Sequence, residues 1–361
     1  PSRDRFGCSM NLSTPIQRLW HMVNGLVEGA HPQTARRAFA ASLVLASVVM
    51  PLPWTTEAAD KAASQPCVRY ALPPAVLEKP FYFAGELIPL DRPDVRLRIT
   101  DQLNFLLLDA RGALTEWLSE KTRHAWIFDE ILEKEGVPRE FASFSPVLSG
   151  LTRNASRSSP AGWWALDKPC DRSEGVEMSE DSWRDDRYEF ELATRCFATR
   201  IKRIRSDLAD SGWLLTAAAY VTSTKTIQDL MQRWNARSYW DMPLPDTAED
   251  LIVRWIAFGI ISGHRQAFGL QLKETPPLVF DQVTALTFGK DLPVAQLAEM
   301  AGVSSREILQ MNPKIKPGSG SLPAKDQGKT VVHTLAVPKG KGWVVVNKLK
   351  EGGYLASSDK P

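Results

Sequence analysis

The stretch from Glu140 to Asp167, EFASFSPVLSGLTRNASRSSPAGWWALD, is preceded by Gly136-Val137-Pro138-Arg139 and lies between two helical patterns. On its N-terminal side, Trp126 to Glu135 places Ile127, Ile131 and Leu132 on one face, and Gly136 and Pro138 close that helix. On its C-terminal side, Tyr188 to Leu208 carries Leu192, Cys196, Phe197, Ile201, Ile204 and Leu208 at helical spacing. The basic residues Arg195, Arg200, Lys202, Arg203 and Arg205 read as a solvated face of that helix. A further helix is expected at Ala248 to Ile261. Periodicity therefore predicts a mainly α domain followed by a small mixed terminal one.

Composition adds bounds. A chain of 361 residues with 43% hydrophobic and 24% charged residues is an ordinary globular sequence, long enough for one large domain and one small one. A formal charge of +2 is too mild to argue for a nucleic-acid partner. Five histidines and no paired Cys or His spacing argue against a metal site, and no cofactor is implied. Of four cysteines, Cys170 and Cys196 fall in the large domain, either joined as a disulfide or present as free buried thiols.

The quoted stretch resembles the active-site segment of the lytic transglycosylases that cut peptidoglycan, in particular the membrane-bound D group. Pro138, Glu140, Val147, Ser149, Ser156, Ala161, Gly162 and Trp164 keep the family frame. Four more segments resemble that group in the same order: the lead-in from Phe81, DDRYEFELAT at 185–194, WLLTAAAYVTSTKTI at 213–227 and YWDMPLPDTAEDLIVRWIAFGII at 239–261. The resemblance runs from about Phe81 to Leu272 and implies a lysozyme-like helical domain.

The departures concentrate on chemistry. The family's single catalytic Glu is replaced by Leu148, the Gln after Trp by Ala165, and the Asn after Tyr220 by Val221. Cleaving a glycosidic bond requires protonation of a poor leaving group, which a carboxyl can do and a Leu cannot. The resemblance thus implies a fold kept while its chemistry was given up. Ser149, Ser156, Gly162, Trp163, Trp164 and Tyr220 are the candidate glycan contacts; of the nearby carboxylates Glu140, Asp167, Asp171, Glu174 and Glu177, Asp167 is the candidate for a displaced acid. Glycan strands of peptidoglycan are the implied partner, with other envelope proteins as the alternative.

The segment Arg36 to Ala59 has paired arginines, an apolar stretch and small residues, the layout of an export signal whose core is too short to span a bilayer. It predicts a periplasmic location. Near the other end, LPVAQLAEMAGVSSREILQMNP at 292–313 resembles a LysM module, a βααβ unit that binds N-acetylglucosamine polymers. Its strands are expected at 283–288 and 331–337, and its helices at 293–301 and 305–311. The expected organisation is an extension and signal at 1–59, a linker and lead-in at 60–96, the transglycosylase-like domain at 97–272, the LysM-like domain at 273–340 and a tail at 341–361.

Overall fold

The computed structural model describes residues 69–150, 160–272 and 275–356. Ser156 and the segment 36–59, expected to be an export signal, lie outside the described residues.

The lead-in opens as a hairpin, β1 Phe81–Phe83 against β2 Glu86–Ile88. Ala84 and Gly85 form the turn with φ of 49° and 76°, the pair of positive values a tight two-residue hairpin turn needs. Helix α1 then spans Pro93–Asn104, starting four residues before the domain boundary expected at residue 97, because Pro93 supplies a preset first turn. A π-turn at Phe105–Asp109 leads into α2, Arg111–Lys134. This helix is more than twice as long as expected, since Leu114 and Leu118 extend the buried stripe of Ile127, Ile131 and Leu132 toward the N-terminus. After a 3₁₀ turn at Arg139–Ser143 come α3 Phe144–Ser149, α4 Phe190–Asp207, α5 Trp213–Val221, α6 Thr224–Trp234 and α7 Asp246–Gly263.

Helix α7 is the axis of the core. Trp255, fully buried, meets Phe83, Phe141 and Phe144 at ring-centroid distances of 4.8, 4.7 and 4.6 Å. Its Nε1 donates to Ser143 Oγ at 3.0 Å and Glu140 O at 3.1 Å. One side chain therefore ties the lead-in hairpin and the start of α3 to the same helix. The hairpin is part of the domain core. Gly259 lets it approach, because a Cβ there would sit 2.4 Å from Phe83 Cε2.

The small domain has the expected strand-helix-helix-strand order: β3 Phe280–Thr287, α8 Val294–Ala301, α9 Ser305–Met311 and β4 Val332–Pro338. Strands β3 and β4 pair antiparallel, with a register shift between Val283 and Leu286. Ser304 and Glu307 form a capping box at the start of α9. Asn312 is buried and bonds both ways to the Ala336 backbone, 2.7 Å to its O and 2.8 Å from its N.

The tail expected at 341–361 is corrected: Gly342–Glu351 form helix α10, which buries Val345 and Leu349 in the small-domain core. Val345 and Leu349 are one helical turn apart, a spacing that a short, glycine-flanked segment conceals. Asp281 on β3 holds the helix start by accepting from Gly340 N at 2.7 Å. Among the described residues no helix is long and apolar enough to cross a membrane.

Candidate functional site

Leu148 stands one residue before the end of α3, half-buried against the core, and Gly150 closes the helix in the left-handed conformation with φ 66°. One turn earlier on the same helix, Ser145 is fully buried and donates to Trp163 O at 2.6 Å. Ser149 Oγ donates back to Ser145 O at 2.9 Å. Leu148 thus lies on a helix keyed to the Gly162–Ala165 turn.

That turn is fixed by paired bonds at its base, Ala161 N to Leu166 O at 2.9 Å and Leu166 N to Ala161 O at 2.8 Å. Gly162 has a structural reason to be glycine. Its φ is 78°, and a Cβ would lie 2.0 Å from Arg187 O. Ala165 also holds a positive φ of 48°. Arg187, 3% exposed, is held by Asp185 at 2.9 Å and Glu180 at 2.9 Å, so the backbone that abuts Gly162 is itself fixed.

Trp163 and Trp164 are corrected as sugar platforms. They are 3% and 0% exposed, and their faces are already taken. Trp163 stacks on Phe190 at 5.1 Å and Trp164 on Phe197 at 4.0 Å. Their indole N–H groups donate to Tyr188 O at 2.6 Å and Thr194 Oγ1 at 3.0 Å. Tyr220 on α5 donates its hydroxyl to Trp164 O at 2.7 Å, and burial raises its pKa above the ordinary tyrosine value. Ser145, Trp163, Trp164, Thr194 and Tyr220 therefore converge as a polar and aromatic joint between α3, α4 and α5.

The remaining loop is fastened to α4. Cys170 and Cys196 form a disulfide with Cα atoms 5.8 Å apart. Arg200 is corrected from the solvated face: it lies one turn beyond Cys196, and its side chain is only 9% exposed. It donates to Glu174 through Nε at 2.8 Å and Nη2 at 3.0 Å, to Asp167 Oδ1 at 2.9 Å and to Lys168 O at 3.1 Å. Sequence reading could have found this arginine from its place in the Cys196, Phe197, Ile201 stripe.

The carboxylates near this loop have duties of their own. Asp167 is exposed and paired with Arg200. Hydrogen bonding to Arg200 holds the Glu174 carboxyl below its ordinary range, hydrogen bonding to Ser173 does so for Asp171, and Arg172 does so for Glu177. Burial raises the carboxyls of Glu86, Asp129, Asp186 and Glu189. Three of these accept backbone N–H groups: Glu86 from Leu214 at 2.7 Å, Asp186 from Ser179 at 2.8 Å and Glu189 from Leu192 at 2.7 Å. Asp129, on α2, feels the cations Arg139 and Lys121. Two cavities of about 540 and 530 Å³ lie elsewhere, one beside Arg265 and Pro276, the other between the ends of α4 and α6. Among the described residues no group of His, Cys, Asp and Glu is arranged to hold a metal ion.

No protein-family model matches the chain. Two curated relatives do, each named membrane-bound lytic murein transglycosylase D, from Escherichia coli strain K12 and from Escherichia coli O6:H1. Each is 25% identical over 199 residues, which is 53% of this chain. The chain spans 42% of the length of these relatives. Together with the helical architecture, this similarity supports a mainly α, lysozyme-like fold.

Proposed function

We propose that this chain is a cell-envelope protein that engages peptidoglycan glycan strands on a lytic-transglycosylase fold without cleaving them. The observation that carries the reading is Leu148 at the half-buried end of α3, where the family resemblance calls for its one acid. Arg200 and the capping contacts already engage the carboxylates of the adjoining loop, which leaves a displaced acid poorly supplied. With both indoles in the core, glycan contact falls to the outer end of α3 around Ser149. The LysM-like βααβ unit would add a second glycan contact. The disulfide favours an oxidising compartment, consistent with export to the periplasm.

The test is to incubate wild type and L148E with purified peptidoglycan and to sediment both with intact sacculi. Sedimentation without release of 1,6-anhydro muropeptides by wild type is the expected result. Release by wild type between pH 4 and 8 overturns it and favours the second reading, an active lytic transglycosylase with a displaced acid such as Asp167. Failure to sediment, with co-purification of an envelope complex, favours a regulator that works through proteins alone.

A further inference from the structure

A short segment of the helical domain, besides contacts such as Arg123 to Gln310 and Phe190 to Phe280, meets the small domain. Arg184 bridges Ile315 in antiparallel register, Asp185 N donates to Lys314 O at 2.8 Å and Lys316 N donates to Trp183 O at 2.8 Å. Trp183, 4% exposed, leaves its own domain and joins the core of the small domain. There its ring lies 5.0 Å from that of His333 on β4, whose other neighbour, Phe288, is 4.7 Å away.

His333 is 1% exposed. Its Nε2 lies 2.9 Å from Pro323 O, an acceptor, which assigns the proton of the neutral ring to Nε2 and leaves Nδ1 as a bare lone pair. Neither His333 Nδ1 nor Trp183 Nε1 has a hydrogen-bond partner among the described residues. Two buried, unpaired polar atoms at one joint call for an explanation. The charged groups facing the ring are cationic. Arg184 sits 5.1 Å over Trp183 and is held by Asp181 at 2.8 Å and Asp186 at 3.9 Å, and Lys314 comes from the loop after α9. Phe288 and Pro323 carry no charge.

We propose that Trp183 and His333 form a proton-operated latch: the neutral ring keeps the segment Trp183 to Asp185 docked on the small domain, and a proton on Nδ1 releases it. The proton would create a second donor with no acceptor, beside an indole N–H that is also a donor and beside two cations. Separation from Trp183 and Arg184 opens Nδ1 to water, removes the facing indole N–H and takes away one of the two cations, while Lys314 stays with the small domain. Burial first, then Arg184 and Lys314, push the His333 pKa from 6.5 down to about 4. A histidine depressed in the docked state binds its proton preferentially when undocked, so docking is complete above the ordinary histidine value and weakens as pH falls toward the depressed one. Each unit of difference is a factor of ten, so the full span is worth on the order of 10²-fold in the docking equilibrium.

The test uses the full chain. Hydrogen exchange of the Asp185 and Lys316 amides, corrected for intrinsic rates, should lose at least tenfold in protection between pH 7 and 4.5, with α4 unchanged. In H333Q, which cannot take up the proton, protection should stay flat. Flat protection in wild type, or the same loss in H333Q, overturns the latch. Should H333Q fold poorly, the NMR titration of His333 decides: a midpoint near 4 in wild type that moves toward 6.5 in W183L supports it, and the same midpoint in both refutes it.

Discussion

Replacing Arg200 with Met tests whether the loop beneath the candidate site is held by one buried cation. Arg200 and Glu174 are each 9% exposed and share two charge-assisted bonds of 2.8 and 3.0 Å. Removing one partner of such a pair strands the other, which typically destabilises by 3–5 kcal/mol. The lower end applies here, since Arg203 remains 3.8 Å from Glu174 and the Asp167 contact is exposed. The expected loss for R200M is about 3 kcal/mol at pH 7. The double variant R200M/E174Q should recover part of it, because the stranded charge is gone. Glu174 also supplies the pH signature. Its carboxyl is depressed in the folded state, so its contribution is complete above the ordinary carboxylate value and fades as pH falls below it. The gap between wild type and R200M should therefore narrow below about pH 4.5. Urea unfolding followed by tryptophan fluorescence at pH 7 and pH 4 measures all of this. A loss under 0.5 kcal/mol, or no recovery in the double variant, refutes the assignment of Arg200 as the fastening residue.

Reduction of the Cys170–Cys196 bond, or C170S/C196S, should cost roughly 3 kcal/mol in the same assay, as expected for a closed loop of this length, while leaving the helical circular dichroism in place. G162A should be far harsher than a surface Gly-to-Ala change, because a Cβ would meet the Arg187 backbone at 2.0 Å and φ is positive; recovery of soluble, native protein with an unchanged midpoint would contradict this. Y220F should cost about 1 kcal/mol by stranding Trp164 O, and a neutral result would mean that the hydroxyl contributes nothing to the joint. L148E should leave stability within about 2 kcal/mol, since Leu148 is half-buried at a helix end, so that its peptidoglycan assay reports chemistry.

Much of the helical frame was legible because apolar spacing reports directly on what a helix buries. Helix α7 spans Asp246–Gly263 where Ala248 to Ile261 was expected, and α8 and α9 fall within a residue of expectation. Illegible features share a physical cause: they depend on which partner a side chain finds across the fold. An exposed indole that stacks on sugar and a buried one that stacks on Phe197 have the same sequence, and only the surrounding aromatic residues decide. Arg200 looked like one of five basic residues on a helix, yet its register put it on the loop side, where Glu174 could follow it inward. Helix α10 escaped notice because two buried residues, Val345 and Leu349, are too few for a periodic signal.

These contacts separate two things that a single substitution might be thought to join. If the side chain at 148 organised the loop around it, a change there would loosen the Gly162–Ala165 turn. The turn instead takes its position from Ser145, Tyr220, Thr194 and the Arg187 carbonyl, and the loop beyond it from Arg200 and the disulfide. None of these bonds involves the side chain at 148. The frame can persist with any residue of suitable size there. The frame itself therefore says nothing for or against glycan cleavage; what the end of α3 holds at 148 is a leucine, whose side chain has no proton to give.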